Sequence, residues 1–204
     1  VAHTWRTFDA ADSIQELVLV VRSGMEADFH DLAKKYQFEK PYRLVPGGKE
    51  RQDSVWNGLE ALSSESDLVA IQDGARPCTS QNLIAITLAA AAVTGAAVAA
   101  QAVTDTVKQS ADGRYVDRTL DRSKLWAVQT PQVFQVEVIR RALGFVRDKD
   151  LAVTDDTAAC EMIGQRVELV VSAEANPKVT RPEDLPYIEW LLDRMSRQPK
   201  RLAP

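Results

Sequence analysis

A short apolar run, Leu68-Val69-Ala70-Ile71, leads into Gln72-Asp73-Gly74-Ala75-Arg76-Pro77. The run reads as a buried strand, and ligands of open α/β sheets collect beyond the carboxyl ends of such strands. Asp73 supplies a hard oxygen of the kind Mg²⁺ prefers. Gly74 and Ala75 let a ligand come close to the backbone. Arg76, kept out of helix by Pro77, can fork onto a phosphate. Such a set serves metal-assisted handling of a phosphate. An ordinary strand exit uses the same residue types, so the reading depends on what else stands at that edge.

Several other groups fall at comparable places. Gly47-Gly48 separates a strand from a helix starting near Arg51. Glycines there let the backbone approach a ligand, and helix N-terminal amides favour anions; a tight turn is the plainer explanation. Arg51-Gln52-Asp53-Ser54 in the first helical turn can face a base or ribose, or simply solvent. Asp105-Thr106 and Lys108 lie just past the strand ending at Ala102. Asp121-Arg122, Thr130 and Thr154 add donors suited to a second phosphate, although each alone reads as a surface residue. Lys178, in Asn176-Pro177-Lys178-Val179-Thr180-Arg181-Pro182-Glu183-Asp184, can neutralise charge in a phosphoryl-transfer transition state. A lone loop lysine is otherwise solvated.

The elements that must position these groups follow from local pattern. Leu17-Val18-Leu19-Val20-Val21 is a continuous apolar run, as in a parallel strand covered on both faces. Helical patterns flank it at Thr4 to Ala11 and Glu26 to Tyr36. A strand at Tyr42 to Val45 precedes the glycine pair, and Val55, Leu59 and Leu62 give the next helix one apolar face. Ser80 reads as an N-cap and Gly95 as the stop of the helix Gln81 to Val93, with a strand following at Ala96 to Ala102. Alternating helices and strands predict a mostly parallel sheet with right-handed crossovers. The rhythm breaks over 103–125, where Thr106-Val107-Lys108-Gln109 and Arg114-Tyr115-Val116-Asp117-Arg118 flank Ser110-Ala111-Asp112-Gly113. Asp-Gly there signals a hairpin. With little core to bury against, it reads as a lid or as an arm gripping a second subunit, which favours a homodimer. A turn at Gln129-Thr130-Pro131-Gln132 comes next, then a helix from Gln135 to Val146. Thr154-Asp155-Asp156 resembles the cap of a short helix, Val167 to Val171 is a late strand, and Pro182 opens the closing helix.

The bulk properties remove several classes. With 204 residues, 45% hydrophobic and 26% charged, the chain suits one well-buried domain, 1–204. A net charge of −4 argues against broad binding of nucleic acid or anionic membrane, so a phosphorylated substrate needs a local basic pocket. Cys78 and Cys160 match neither a zinc nor a CxxC spacing and read as reduced core residues of a cytoplasmic protein. His3 and His30 form no metal cluster. The alanine-rich stretch from Ile84 to Val103 reads as a helix followed by a strand rather than a membrane span, and no secretory signal is visible at the start.

In order along the chain come Gly47-Gly48-Lys49-Glu50-Arg51-Gln52-Asp53-Ser54-Val55, Asp73-Gly74-Ala75-Arg76-Pro77, Val103-Thr104-Asp105-Thr106-Val107-Lys108, Leu125-Trp126-Ala127-Val128-Gln129-Thr130-Pro131-Gln132-Val133-Phe134, Thr154-Asp155-Asp156 and Lys178-Val179-Thr180-Arg181-Pro182-Glu183-Asp184-Leu185. This series resembles the 2-C-methyl-D-erythritol 4-phosphate cytidylyltransferases of the non-mevalonate isoprenoid pathway, from Val1 to about Leu192. The resemblance implies a Rossmann-like nucleotidyltransferase of the nucleotide-diphospho-sugar transferase type, with a protruding β-arm at about 103–125 that builds a homodimer. It implies a reaction of CTP with methylerythritol phosphate that releases pyrophosphate and needs Mg²⁺, by direct attack on the α-phosphorus. By the same resemblance Gly48, Ser54 and Gly74 belong to the nucleotide site and Asp73 holds nucleotide and metal. Thr106, Arg122, Thr130 and Thr154 line the sugar-phosphate pocket with Arg76 close by, some of them crossing the dimer. Arg122 and Lys178 aim the attacking phosphate.

The family also opens with a strand and a loop of the pattern Ala-Ala-Gly-x-Gly-x-Arg-x-Gly, followed by Pro-Lys-Gln. None of the nine glycines here forms a G-x-G, and Val1-Ala2-His3-Thr4 matches the family just downstream of that segment. Without its interior strand the sheet should expose backbone edges and apolar surface. Lys49 and Pro177 are smaller departures. Other readings are a ribitol 5-phosphate-type cytidylyltransferase and a non-catalytic dimerisation module of the same fold; a dinucleotide-binding oxidoreductase has no glycine fingerprint to support it.

Overall fold

Two rows of strands, separated by a cleft, organise the chain. The computed structural model describes residues 1–197; the end of the single-domain assignment, 198–204, lies outside them. Helix α1 (Ala2–Asp9) precedes β1 (Leu17–Val21), α2 (Glu26–Tyr36), β2 (Tyr42–Pro46), α3 (Arg51–Glu60) and β3 (Leu68–Ile71). Next come α4 (Gln81–Thr94), β4 (Ala96–Ala102), a short arm of β5 (Lys108–Gln109) and β6 (Arg118–Thr119), and the long β7 (Trp126–Gln135). The described residues end with α5 (Val136–Asp148), α6 (Asp156–Met162), β8 (Glu168–Val171) and α7 (Leu185–Arg197).

The local signals operate as read. Ser80 Oγ accepts from Leu83 N at 3.2 Å to start α4, and Gly95, at φ 86°, ends it in the left-handed region. The alanine-rich stretch is therefore helix then strand, and no described helix is long and apolar enough to cross a membrane. Asp155 caps α6 by accepting from Ala158 N. Pro182 opens a 3₁₀ turn, Pro182–Asp184, that runs straight into α7.

In the larger sheet the order is β3-β7-β4-β8. Strands β3, β4 and β8 share one direction and β7 runs against them. This revises the turn expected at Gln129-Thr130-Pro131-Gln132, which lies inside β7, with the Thr130–Pro131 bond cis and the ladder to β4 irregular near Ala99. Proline is tolerated because the register with β4 breaks at that point. Alternate residues of this sheet feed two layers. Phe134 and Ala96 face α3, α5 and α6 with Leu59, Ile139, Leu143 and Cys160. Val133, Ala97 and Ala99 face α4 with Leu83 and Ala91. Each fully buried large side chain contributes about 1.5–3 kcal/mol.

The smaller sheet pairs β1 with β2 in parallel. Among the described residues β1 and β3 are each paired on one edge only. A cavity of about 1000 Å³ lies between them, lined by every residue of Leu17–Val20 and of Leu68–Asp73. Consecutive rather than alternate residues line it, so it runs along strand edges and not over a sheet face. The unpaired edges of β1 and β3 border this cavity. The arm is present as an antiparallel hairpin, with Lys108 opposite Thr119 and Gln109 opposite Arg118, and its ladder is shorter than the sequence suggests.

Candidate active site

Beyond the carboxyl end of β3, Asp73 Oδ2 accepts from Arg76 Nε at 3.2 Å and pairs with Lys178 Nζ at 3.1 Å. The Asp73 and Arg76 side chains are largely covered, at 19% and 12% exposure, whereas Lys178 at 45% reaches solvent. The backbone N–H of Asp73 donates to Thr130 Oγ1 at 3.1 Å, so β7 fixes the residue from the other side. Four residues from three separate stretches of sequence thus meet at one point.

A buried asparagine makes that meeting possible. Asn176, 2% exposed, donates through Nδ2 to Thr130 O at 2.8 Å and to Gln129 Oε1 at 3.2 Å. Its Oδ1 accepts from Thr79 Oγ1 at 2.9 Å, and its own carbonyl accepts from Arg76 Nη1 at 2.7 Å. Val179 N donates to Ala75 O at 2.8 Å, which lays the Lys178 loop against the β3 exit. Buried polar groups persist only when so satisfied. Asn176 stands in a stretch the sequence marks for Lys178, but nothing local distinguishes it as a hub. Its only signal is its place next to Pro177 and Lys178.

A second cluster forms at the start of α3. Gly48 N donates to Ser54 Oγ at 3.0 Å, and Asp53 Oδ2 accepts from Glu50 N at 3.1 Å. A Cβ at Gly48 would stand 2.3 Å from Asp53 Cβ, so only glycine fits this close approach. Ser54, Arg51, Asp73 and Gly74 all line the cavity between β1 and β3, which brings both clusters to one space.

Two side chains of the first turn take their partners outside both clusters. Arg51 Nη2 pairs with Asp156 Oδ2 at 2.7 Å, and Gln52 bonds the backbone at Leu151 and Val153. Asp156 is fully buried and its Oδ1 has no partner among the described residues. Burial pushes its carboxyl above the ordinary range, outweighing the opposite pull of Arg51. Of the two adjacent acids after Thr154, one caps a helix and the other enters the interior, a split the sequence does not reveal.

Three expected residues are not joined to either cluster by hydrogen bonds. Arg122 donates through Nη1 to Thr104 O at 2.6 Å, at the root of the arm. Thr106 is exposed beside it, and Thr154 is exposed ahead of α6. No group of three or more His, Cys, Asp or Glu among the described residues could hold a metal. Cys78 and Cys160 are free and buried.

Comparison with known proteins gives the chain a family. The family model described as IspD, 2-C-methyl-D-erythritol 4-phosphate cytidylyltransferase, matches residues 1–194. A protein of that description from Alkaliphilus oremlandii is 41% identical over 94% of this chain and 82% of its own length. Another from Pelotomaculum thermopropionicum is 42% identical over 94% of this chain and 81% of its own. Among solved structures, the chain is similar to 4-diphosphocytidyl-2C-methyl-D-erythritol synthase from Anaerococcus prevotii, with a TM-score of 0.86 and 32% identity, covering 95% of this chain and 85% of that one. The corresponding cytidylyltransferase from Thermus thermophilus gives a TM-score of 0.79 at 32% identity, covering 94% and 87%.

Proposed function

We propose, from the premise that this chain belongs to the 2-C-methyl-D-erythritol 4-phosphate cytidylyltransferase family, that the Asp73, Arg76 and Lys178 cluster is where the family's reaction takes place. That reaction transfers CMP from CTP to 2-C-methyl-D-erythritol 4-phosphate, giving 4-diphosphocytidyl-2-C-methyl-D-erythritol and pyrophosphate in isoprenoid biosynthesis. The match favours this substrate over ribitol 5-phosphate and an enzyme over a non-catalytic module.

A phosphate oxygen of the sugar phosphate bonds to the α-phosphorus while the bond from that phosphorus to the pyrophosphate oxygen breaks, pyrophosphate leaving with the electron pair. No covalent enzyme intermediate is needed, so the protein contributes orientation and charge. Lys178 meets the incoming phosphate, a role its partial exposure beside Asp73 supports. Asp73, 3.1 Å from its ammonium, restricts where that charge can sit. Arg76 is held by Asp73 and by the Asn176 carbonyl and stiffens the same loop. Gly48, Ser54 and Gly74 serve the nucleotide, with the close backbone approach at Gly48 supporting that role. Thr130 and Thr154 serve the sugar phosphate. Thr106 and Arg122, on the exposed arm root, serve it across a dimer interface.

The donor set fits Mg²⁺ held mainly by substrate phosphates. The hydrogen bonds to the Asp73 carboxylate fall on Oδ2, and Oδ1 has no partner among the described residues. When bound, the metal supplies neutralisation of triphosphate charge. The arm carries Tyr115 and Val116 at 68% and 62% exposure, which supports a homodimer in which it buries against a second copy. We further infer one cytidylyltransferase domain with the arm at about 103–125, acting in the cytoplasm, a place that suits two reduced buried cysteines.

The single observation that carries the site assignment is the convergence of Lys178 and Arg76 on Asp73 at the carboxyl edge of β3. Pyrophosphate release measured with CTP and each sugar phosphate tests the function. Release that depends on methylerythritol phosphate is expected. Preference for ribitol 5-phosphate would overturn the substrate.

A further inference from the structure

The first turn of α3 has two jobs in the fold. On one side Ser54 receives Gly48 N–H and faces the cavity. On the other, Gln52 Nε2 donates to Leu151 O at 2.8 Å and its Oε1 accepts from Val153 N at 3.1 Å. One planar amide thus grips the backbone on both sides of Ala152 and ends next to Thr154. Beyond Thr154, Gln132 Nε2 donates to Asp155 Oδ2 at 2.9 Å, Gln132 Oε1 accepts from Asp156 N at 3.2 Å, and Arg51 pairs with the buried Asp156. Thr154 itself is exposed, and its side chain makes no hydrogen bond among the described residues. It is a bare hydroxyl carried on a backbone clamped at both flanks, with much of the clamp supplied by α3.

We propose that Gln52, together with the Arg51–Asp156 pair, is a positioning element that sets Thr154 against the nucleotide side of the site. The proposal rests on the assignment of Thr154 to the sugar-phosphate pocket. Because Ser54 and Gln52 share one helical turn, the spacing between the two half-sites is built into that turn. Stability alone is a poor reason for the Gln52 contacts, since one is exposed and the other only part-buried, and a typical hydrogen bond contributes only about 0.5–1.5 kcal/mol net. Misplacement of a substrate-positioning group is costly in rate even when the fold is intact.

The test is steady-state kinetics of CMP transfer with Gln52→Ala, Thr154→Ala and the double variant, beside the thermal midpoint of each. Asp156→Asn, which keeps the side-chain volume, repeats the test from the other flank. The expected result is a rise of about tenfold in KM for methylerythritol phosphate for Gln52→Ala, with KM for CTP within about twofold of the parent. The midpoint should stay near that of the parent. The double variant should be no worse than Thr154→Ala, because a residue that acts through Thr154 has nothing left to position. Multiplicative losses in the double variant would overturn the proposal, as would a shift of KM for both substrates in step with a fall in the midpoint. An unchanged KM for Gln52→Ala in an active protein overturns it too. A parent protein with no transfer to methylerythritol phosphate instead overturns the functional assignment itself.

Discussion

Asp73 carries two cations on one carboxylate oxygen, and the exposures of those cations separate their roles. Arg76 is enclosed and its guanidinium also meets a backbone carbonyl, so it helps to hold the loop as well as standing close to the proposed substrate pocket. Lys178 is nearly half exposed, and an ion pair of that kind adds little to stability. Replacing Lys178 with Ala should therefore lower turnover by about 10²–10³-fold while the thermal midpoint barely moves, as parallel kinetics and melting curves would reveal; equal losses in both would sink the assignment. Removing divalent cations with EDTA should abolish CMP transfer, and adding Mg²⁺ should restore it. The cysteines make a third case. Burial, with Asp156 and Asp155 nearby, pushes the Cys160 thiol up to about 12, and burial also raises Cys78. At pH 8 both are neutral thiols, unreactive as nucleophiles. A thiol reagent should label neither in the folded protein and both after denaturation. Most of these side chains were legible in sequence because their chemistry is a matter of residue type. Their partners were not.

At the scale of elements, the site depends on two docked segments. The 176–179 loop is held to the exits of β3 and β7 almost entirely by Asn176 and by the Val179 N to Ala75 O bond. Asn176→Ala would take the amide donor from the buried Thr130 carbonyl and Gln129 Oε1, at a cost of about 1–3 kcal/mol. That corresponds to a fall of roughly 2–12 °C in the melting midpoint, with a loss of turnover because Lys178 drifts from Asp73. Calorimetry and kinetics on one sample check both parts. The start of α3 is the other segment. Gly48→Ala forces a Cβ into Asp53, and Asp53 holds the helix start through Glu50 N–H, so KM for CTP should rise. Helices and strands here were readable because caps and apolar periods are local signals, such as Ser80 and Gly95 around α4. The turn expected at Thr130-Pro131 proved to be strand because its neighbours β3 and β4, not its own composition, supply the pairing.

At the scale of the whole molecule, helices cover both faces of the β3-β7-β4-β8 sheet, and the edge proposed as catalytic opens onto the cavity between β1 and β3. The arm stands apart from this core, with Tyr115 and Val116 in solvent. Isolated hairpins of this kind hold poorly in water, which is the physical argument for a second subunit. Light scattering should give twice the chain mass for the parent. The paired change Tyr115→Asp with Val116→Asp should give the mass of one chain, and a parent of single-chain mass would refute the dimer.

Taken by itself, the sequence determined most stretches of helix and strand, and it raised the expectation of phosphate chemistry at the ends of strands. It also determined the family, through ordered motifs that need no folding to be read. Tertiary structure alone decided that β7 runs against its neighbours, that Asn176 joins its own loop to the β3 exit and to β7, and that Arg51 reaches Asp156 across 105 residues. The reason is one of range. Caps, turns and apolar periods act over a few residues and leave their mark in local order. A buried polar partner is chosen only when distant segments are brought together and water is excluded, where an unpaired group is too costly to keep.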